Sequence, residues 1–204
     1  MQVELRDIGK KFERHFVFRN ISDSFKTGDR IAILGGNGSG KSTLLKIISG
    51  SLTSTEGKID ITHNEKNLPV ETYMRQVAFA GPYTEIIEEF NLEEIVAFQE
   101  QFRGWRNGLT NTDVIELTRL QKVAKRPIGN FSSGMRQRVR LALAILSDTP
   151  VLLLDEPTSN LDAKGMAWFQ NLLTENVDDR ILFVGSNHQE VETTLCTREI
   201  NLRK

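Results

Sequence analysis

The stretch Leu34–Thr43, LGGNGSGKST, follows the apolar run RIAIL (Arg30–Leu34) and sets four glycines between positions 35 and 40, ahead of a lysine and two hydroxyl residues. Ordered glycine gives up more conformational freedom than any other residue, so this density implies a sharply turning backbone or a group that approaches it closely. Gly35, Gly40, Lys41 and Ser42 fill the pattern GxxxxGK(S/T), in which consecutive backbone amides converge on an oxyanion. Gly35, Gly36, Asn37, Gly38, Ser39 and Gly40 then form the cradle. Lys41 supplies a point charge for the β and γ phosphates, and Ser42 offers a hydroxyl to Mg²⁺. Ser42 and Thr43 open STLLKIISG, a helix whose N-terminal dipole end also favours phosphate. The alternative, a glycine-rich turn with no ligand, leaves the lysine and the hydroxyls unexplained.

A second segment supports the first. VLLLDEP (Val151–Pro157) reads as a strand covered on both faces, with Asp155 at its C-terminal end, where open α/β sheets place their ligands. Asp155 can reach a metal held by Ser42, and Glu156 can polarise a water in line with a γ-phosphate. Lys41 and Glu156 are candidate catalytic residues, and Ser42 and Asp155 the candidate metal ligands.

At 204 residues the chain suits a single domain with a core of its own. A net charge of −1 gives no electrostatic reason to expect nucleic acid as partner. Arg136, Arg138 and Arg140 read as a solvated helix face. The single cysteine, Cys196, excludes an internal disulfide and suits a reducing compartment, where it is a small apolar filler. The N-terminus MQVELRDIGKKF lacks a leader pattern, and no apolar run approaches the ~18 residues of a membrane span. The expectation is a cytoplasmic chain whose link to a membrane runs through a partner.

QVELRDI, HFVFRNI and DSFKTGDRIAIL alternate as strands, with a turn at Thr27–Asp29, and EGKIDIT and QVAFAG follow as strands. From about Tyr83 to Lys125 the pattern turns helical. Asn91 and Glu94 make a capping box, and Leu92, Ile95, Val96, Gln99 and Phe102 recur at helical spacing. SSGMRQRVRLALAILSDTP reads as a helix stopped at Pro150; AKGMAWFQNLL, RILFVGS, HQEVETTL and EINLR then give helix, strand, helix and strand. Residues 62–69 and 104–112 read as linkers. The expected fold is an α/β P-loop NTPase with a mostly parallel core sheet (1–82 and 150–204), an N-terminal antiparallel β layer and a helical subdomain (about 83–149).

Three further segments carry a family resemblance. FSSGMRQR (Phe131–Arg138) resembles the LSGGQ signature of ABC ATPases, SNLD (Ser159–Asp162) resembles their D-loop, and His188 in SNHQE resembles their switch histidine. The order and spacing match across nearly the whole chain, which is identified as a member of that family. Phe12 in KKF resembles the aromatic on which adenine stacks, the alternative being a core phenylalanine at a strand end. His15 and His63 match nothing and read as solvated.

The resemblance implies ATP and Mg²⁺ as ligands and a head-to-tail dimer, homo- or heteromeric. Each ATP then lies between the phosphate loop of one subunit and Ser132 and Gly134 of the other. It further implies an integral membrane permease that this chain drives from the cytoplasmic face. Ser133 and Met135 depart from the signature. Pro82 stands where the family carries a glutamine; Tyr83, Thr84 and Glu85 are the residues that could replace it. Two other functions stay open: a soluble non-transport ABC ATPase, and a nucleotide sensor of slow turnover. Fewer than 100 residues separate Ser42 from Phe131, too few for the long coiled coil of chromosome-maintenance heads, and one phosphate loop argues against the paired cassettes of translation ATPases.

Overall fold

The computed structural model describes residues 1–82 and 84–202. Tyr83, named above as a glutamine replacement, lies outside the described residues. Strands β1 (Gln2–Phe12), β2 (His15–Lys26), β4 (Glu56–His63) and β5 (Lys66–Asn67) form an antiparallel sheet in the order β2-β1-β4-β5. Strands β3 (Arg30–Leu34), β6 (Val77–Ala80), β7 (Val151–Asp155), β8 (Ile181–Ser186) and β9 (Arg198–Asn201) form a parallel sheet in the order β6-β7-β8-β3-β9.

The inner strands of the parallel sheet are apolar along nearly their whole length because both faces are covered, whereas the edge strand β9 (REIN) is partly exposed; the period of two sorts the apolar side chains between two cores. Val77, Val151, Leu153, Ile181, Phe183, Ile31 and Ile33 face the antiparallel sheet and helix α1 (Lys41–Ile48). Ala78, Ala80, Leu152, Leu154, Leu182 and Val184 face the other way. There they meet α3 (Leu92–Glu100), α4 (Asn111–Thr118), α5 (Ser133–Leu146) and α6 (Ala163–Asn176). Helix α1, which starts at the phosphate-loop lysine, and helix α5, which starts at the signature, therefore pack on opposite faces of one sheet.

Several boundaries differ from the sequence reading. HFVFRNI and DSFK form one strand, β2, because register shifts against β1 let it bend without breaking. Residues 62–69 are no linker: His63 pairs with Lys66 across a turn in which Asn64 and Glu65 hold φ of 50° and 62°. The capping box at Asn91 and Glu94 forms as expected. However, α3 ends at Glu100, and Phe102 is 66% exposed rather than part of the buried stripe. Helix α5 ends at Leu146, ahead of Pro150, since Ser147 leaves the helix to bridge Trp105. HQEVETTL contributes a single turn, α7 (Glu190–Thr193), after a short α2 (Val70–Met74) earlier in the chain.

The other expected linker, 104–112, is an anchor between the helices and the sheet. Arg106 is buried and donates to Asp178 at 2.8 Å and to the Thr149 carbonyl at 3.3 Å. Nor do the arginines of α5 form a free solvated face. Arg136 donates to the Phe131 carbonyl at 3.0 Å, Arg140 to the Thr84 carbonyl at 2.8 Å, and Arg138 lies over the Trp168 ring. His15 is exposed as expected, while His63 is half-buried at the end of β4. Burial pushes the Cys196 thiol up to about 12, so it stays protonated as the filler its apolar neighbours suggest.

Candidate nucleotide site

The phosphate loop joins β3 to α1 and is glycine-built for two distinct reasons. A Cβ on Gly35 would lie 2.3 Å from Ser39 Oγ and 2.8 Å from the Leu202 carbonyl, so no side chain fits. Gly40 holds φ of 102°, a left-handed conformation that other residues rarely adopt, and Val17 and Phe18 press against it. The loop thus wraps an open centre with backbone on its inner side.

Lys41 projects into that centre. Although 4% exposed, it keeps its charge satisfied: Nζ donates to the Gly35 carbonyl at 2.9 Å and to Gly36 at 3.3 Å, and lies 3.3 Å from Glu156 Oε1. Glu156 holds φ of 46° and its amide donates to the Gly185 carbonyl at 2.8 Å. A non-glycine residue held in that region costs on the order of 1–3 kcal/mol.

Asp155 is 2% exposed and its Oδ1 has no partner, a buried acceptor in want of a cation or donor. It sits in a slot made by two glycines that the sequence reading passed over. A Cβ on Gly185 would lie 2.9 Å from Asp155 Oδ1, and one on Gly81 would lie 3.1 Å from its Cβ. Burial pushes the Asp155 carboxyl up; a hydrogen bond from Ser42 opposes this, the Glu156 charge adds to it, and Lys41 pulls it down. The orphaned Oδ1 beside the Ser42 hydroxyl is a donor set that fits a hard divalent cation such as Mg²⁺.

The sign of that shift gives a prediction. Because the folded protein holds the Asp155 proton more tightly than the unfolded chain, this group's stabilising contribution is lost as pH rises from 3.8 through the raised folded value. Asp155→Asn is therefore expected to raise the melting temperature of nucleotide-free protein at neutral pH, with the gain fading toward acid, while abolishing the Mg²⁺ dependence of nucleotide binding. Thermal melts across pH, with and without Mg²⁺, check both.

A cavity of about 500 Å³ opens over Lys41, Ser42 and Thr43 and is lined also by Asn37, Val17, Glu156 and Pro82. Val17 went unnoticed in the sequence, where it is one apolar residue of an alternating strand. Phe12 is 50% exposed at the tip of the β1–β2 hairpin, outside that lining, so it is not the core residue of the alternative reading. His188 is exposed with φ of 57°, on a turn tied to the phosphate loop by an Asn187–Asn37 hydrogen bond of 3.3 Å. Ser132 caps α5, its Oγ accepting from the Met135 amide at 3.2 Å. Gly134 is required by the close approach of the Asn160 carbonyl, 2.9 Å from where a Cβ would stand. Among the described residues lining the cavity, neither Ser132 nor Gly134 appears.

A family model described as ABC transporter matches residues 18–159, from β2 through the phosphate loop, signature and Asp155 to the D-loop. The chain belongs to the ABC transporter family. Among curated ABC transporter relatives, a lipoprotein-releasing system ATP-binding protein LolD of Oleidesulfovibrio alaskensis is 32% identical, aligned over 100% of this chain and 94% of its own length. A cytochrome c biogenesis ATP-binding export protein CcmA of Rhodopseudomonas palustris is 31% identical over 91% and 90%. Among solved structures, a dimeric ATP-binding cassette in a post-hydrolysis state, bound to ADP and Pi, superposes with a TM-score of 0.84 at 24% identity over 98% of this chain and 94% of that one. As an ABC transporter ATP-binding protein the chain is an ATPase, and its two-sheet α/β architecture is the ABC cassette fold.

Proposed function

We propose that this chain is the ATP-hydrolysing subunit of a transporter, closing head-to-tail on ATP as a dimer to drive a separate membrane permease. The observation that carries the reading is the incompleteness of the cavity. Lys41 and Glu156 line it, whereas Ser132, exposed at the N-terminus of the 14-residue helix α5, does not. A helix N-terminus whose first amides face outward suits a γ-phosphate presented by a second subunit.

In this reading Gly35–Gly40 and Lys41 hold the phosphates, and Val17 and Phe12 take the nucleoside side. Ser42 and Asp155 would hold Mg²⁺, which neutralises phosphate charge when bound. Glu156 accepts a proton from the attacking water, and His188 closes the site on its far side. No helix among the described residues is long and apolar enough to cross a membrane, and in this reading the permease is a separate chain. Its candidate dock is a hollow of about 680 Å³ between residues 84–89 and Arg136 and Arg140 of α5. Ile87 is exposed there, and Glu85, Glu88 and Glu89 surround it. Co-purification with a membrane protein whose presence stimulates ATP hydrolysis is the expected result; a chain isolated from membranes alone at every ionic strength speaks against a permease.

Pro82 favours a second reading, slow turnover, because its ring lines the cavity where a polar side chain could have touched the metal or the water. Pro82→Gln is expected to lower the Mg²⁺ concentration that half-saturates hydrolysis and to raise the rate. Superimposable Mg²⁺ titrations for the two proteins would take Pro82 out of the chemistry.

A further inference from the structure

Glu192 is a carboxylate that the reading above leaves without a task. It lies in α7, is 3% exposed, and accepts three hydrogen bonds from two separate turns. Oε1 accepts from the Thr158 amide at 3.0 Å and from Thr158 Oγ1 at 2.6 Å. Oε2 accepts from Ser186 Oγ at 2.5 Å, and that oxygen in turn accepts from the Gln189 amide at 3.1 Å.

The positions of these donors are informative. Thr158 lies two residues after Glu156, and Ser186 lies two residues before His188. Both Glu156 and His188 hold left-handed backbone, at 46° and 57°. Conformations of this kind persist only where the surroundings over-determine them. A third support reaches the first turn from the signature helix, where Gln137 Nε2 donates to the Pro157 carbonyl at 2.9 Å. One buried carboxylate thus joins the turn that carries the proposed base to the turn that carries the proposed switch histidine, and the first of these is bonded to α5.

We infer that Glu192 is a positioning residue for ATP hydrolysis, holding the Glu156 and His188 turns in one mutual arrangement through Thr158 and Ser186. The inference rests on the proposed roles of Glu156 and His188. Its consequence is a division of labour: nucleotide affinity is set by the phosphate loop, and the rate of the bound state by Glu192. Gln retains an oxygen for Thr158 and offers an amide to Ser186 Oγ, so it can hold both turns; Ala holds neither.

The test compares wild type, Glu192→Ala and Glu192→Gln, each as the full chain, for kcat, Mg-ATP affinity and melting temperature. Glu192→Ala is expected to lose roughly ten- to a hundredfold in kcat, the scale of a small misplacement of reacting groups, with affinity unchanged. Glu192→Gln is expected to recover most of that loss. An unchanged kcat in Glu192→Ala overturns the inference, and so does a loss of affinity in step with kcat or a Gln variant as slow as Ala. Should Glu192→Ala fail to fold, Ser186→Ala cuts the bridge on the His188 side alone and carries the same expectation. Glu156→Gln, assayed beside them, separates the two readings. Wild-type turnover in that variant defeats the catalytic assignment itself, whereas its loss together with full activity in Glu192→Ala defeats only the bridge.

Discussion

Glu156→Gln is expected to hydrolyse ATP about 10²- to 10⁴-fold more slowly than wild type, the range of a lost general base, while still binding Mg-ATP and dimerising on it. The substitution keeps the size of the side chain and its hydrogen-bonding capacity, and leaves Lys41, Ser42 and Asp155 in place. It also removes the carboxylate charge 3.3 Å from Lys41, a like charge that would repel the phosphates. Closure should therefore be favoured and reopening, which awaits departure of the γ-phosphate, blocked. Size-exclusion chromatography is expected to show an ATP-dependent dimer for Glu156→Gln and a mainly monomeric wild type. Adding Ser132→Arg should abolish the dimer, since a bulky cation would fill the space offered to the opposite γ-phosphate. Wild-type turnover in Glu156→Gln would remove Glu156 as base, and a dimer that survives Ser132→Arg would refute the shared site.

Lys41→Ala is expected to lose ATP binding and hydrolysis together. The ammonium is buried, and its contacts to the Gly35 and Gly36 carbonyls hold it at the centre of the loop. Charge-assisted hydrogen bonds contribute roughly 1.5–3 kcal/mol each, so losing even one to phosphate weakens binding about ten- to a hundredfold. The cut also removes the cation that lies 3.3 Å from Glu156. Equilibrium binding of a fluorescent ATP analogue checks the first effect, and wild-type affinity in this variant would mean that the loop is not the nucleotide site.

What could be read in the sequence was whatever depends on local backbone. Four glycines before Lys41, the apolar run into Asp155 and the Asn91–Glu94 cap each state their geometry within a few residues, and each stands where it was expected. What could not be read depends on residues far apart in the chain. Gly81 and Gly185 look like ordinary strand ends until Asp155 is seen between them. Arg106 looks like part of a linker until Asp178, 72 positions on, accepts its hydrogen bonds. Glu192 looks like a solvated helix residue until Thr158 and Ser186 converge on it. Phe102 failed in the opposite direction: its helical spacing is real, but the helix ends before the pattern does.

The sorting of side chains to opposite faces of the parallel sheet has a use in engineering. Helices α1 and α5 share no apolar cluster, since Leu44 and Leu45 pack on one side of the sheet and Val139 and Leu141 on the other. Stiffness can therefore be adjusted in one compartment while the other keeps its packing. Removing one or two carbons beneath α5, as in Leu141→Val or Val139→Ala, would loosen the signature helix while sparing the contacts that shape the phosphate loop. A graded set of such variants would act as a dial on closure, with the hold on the nucleotide left at its original setting.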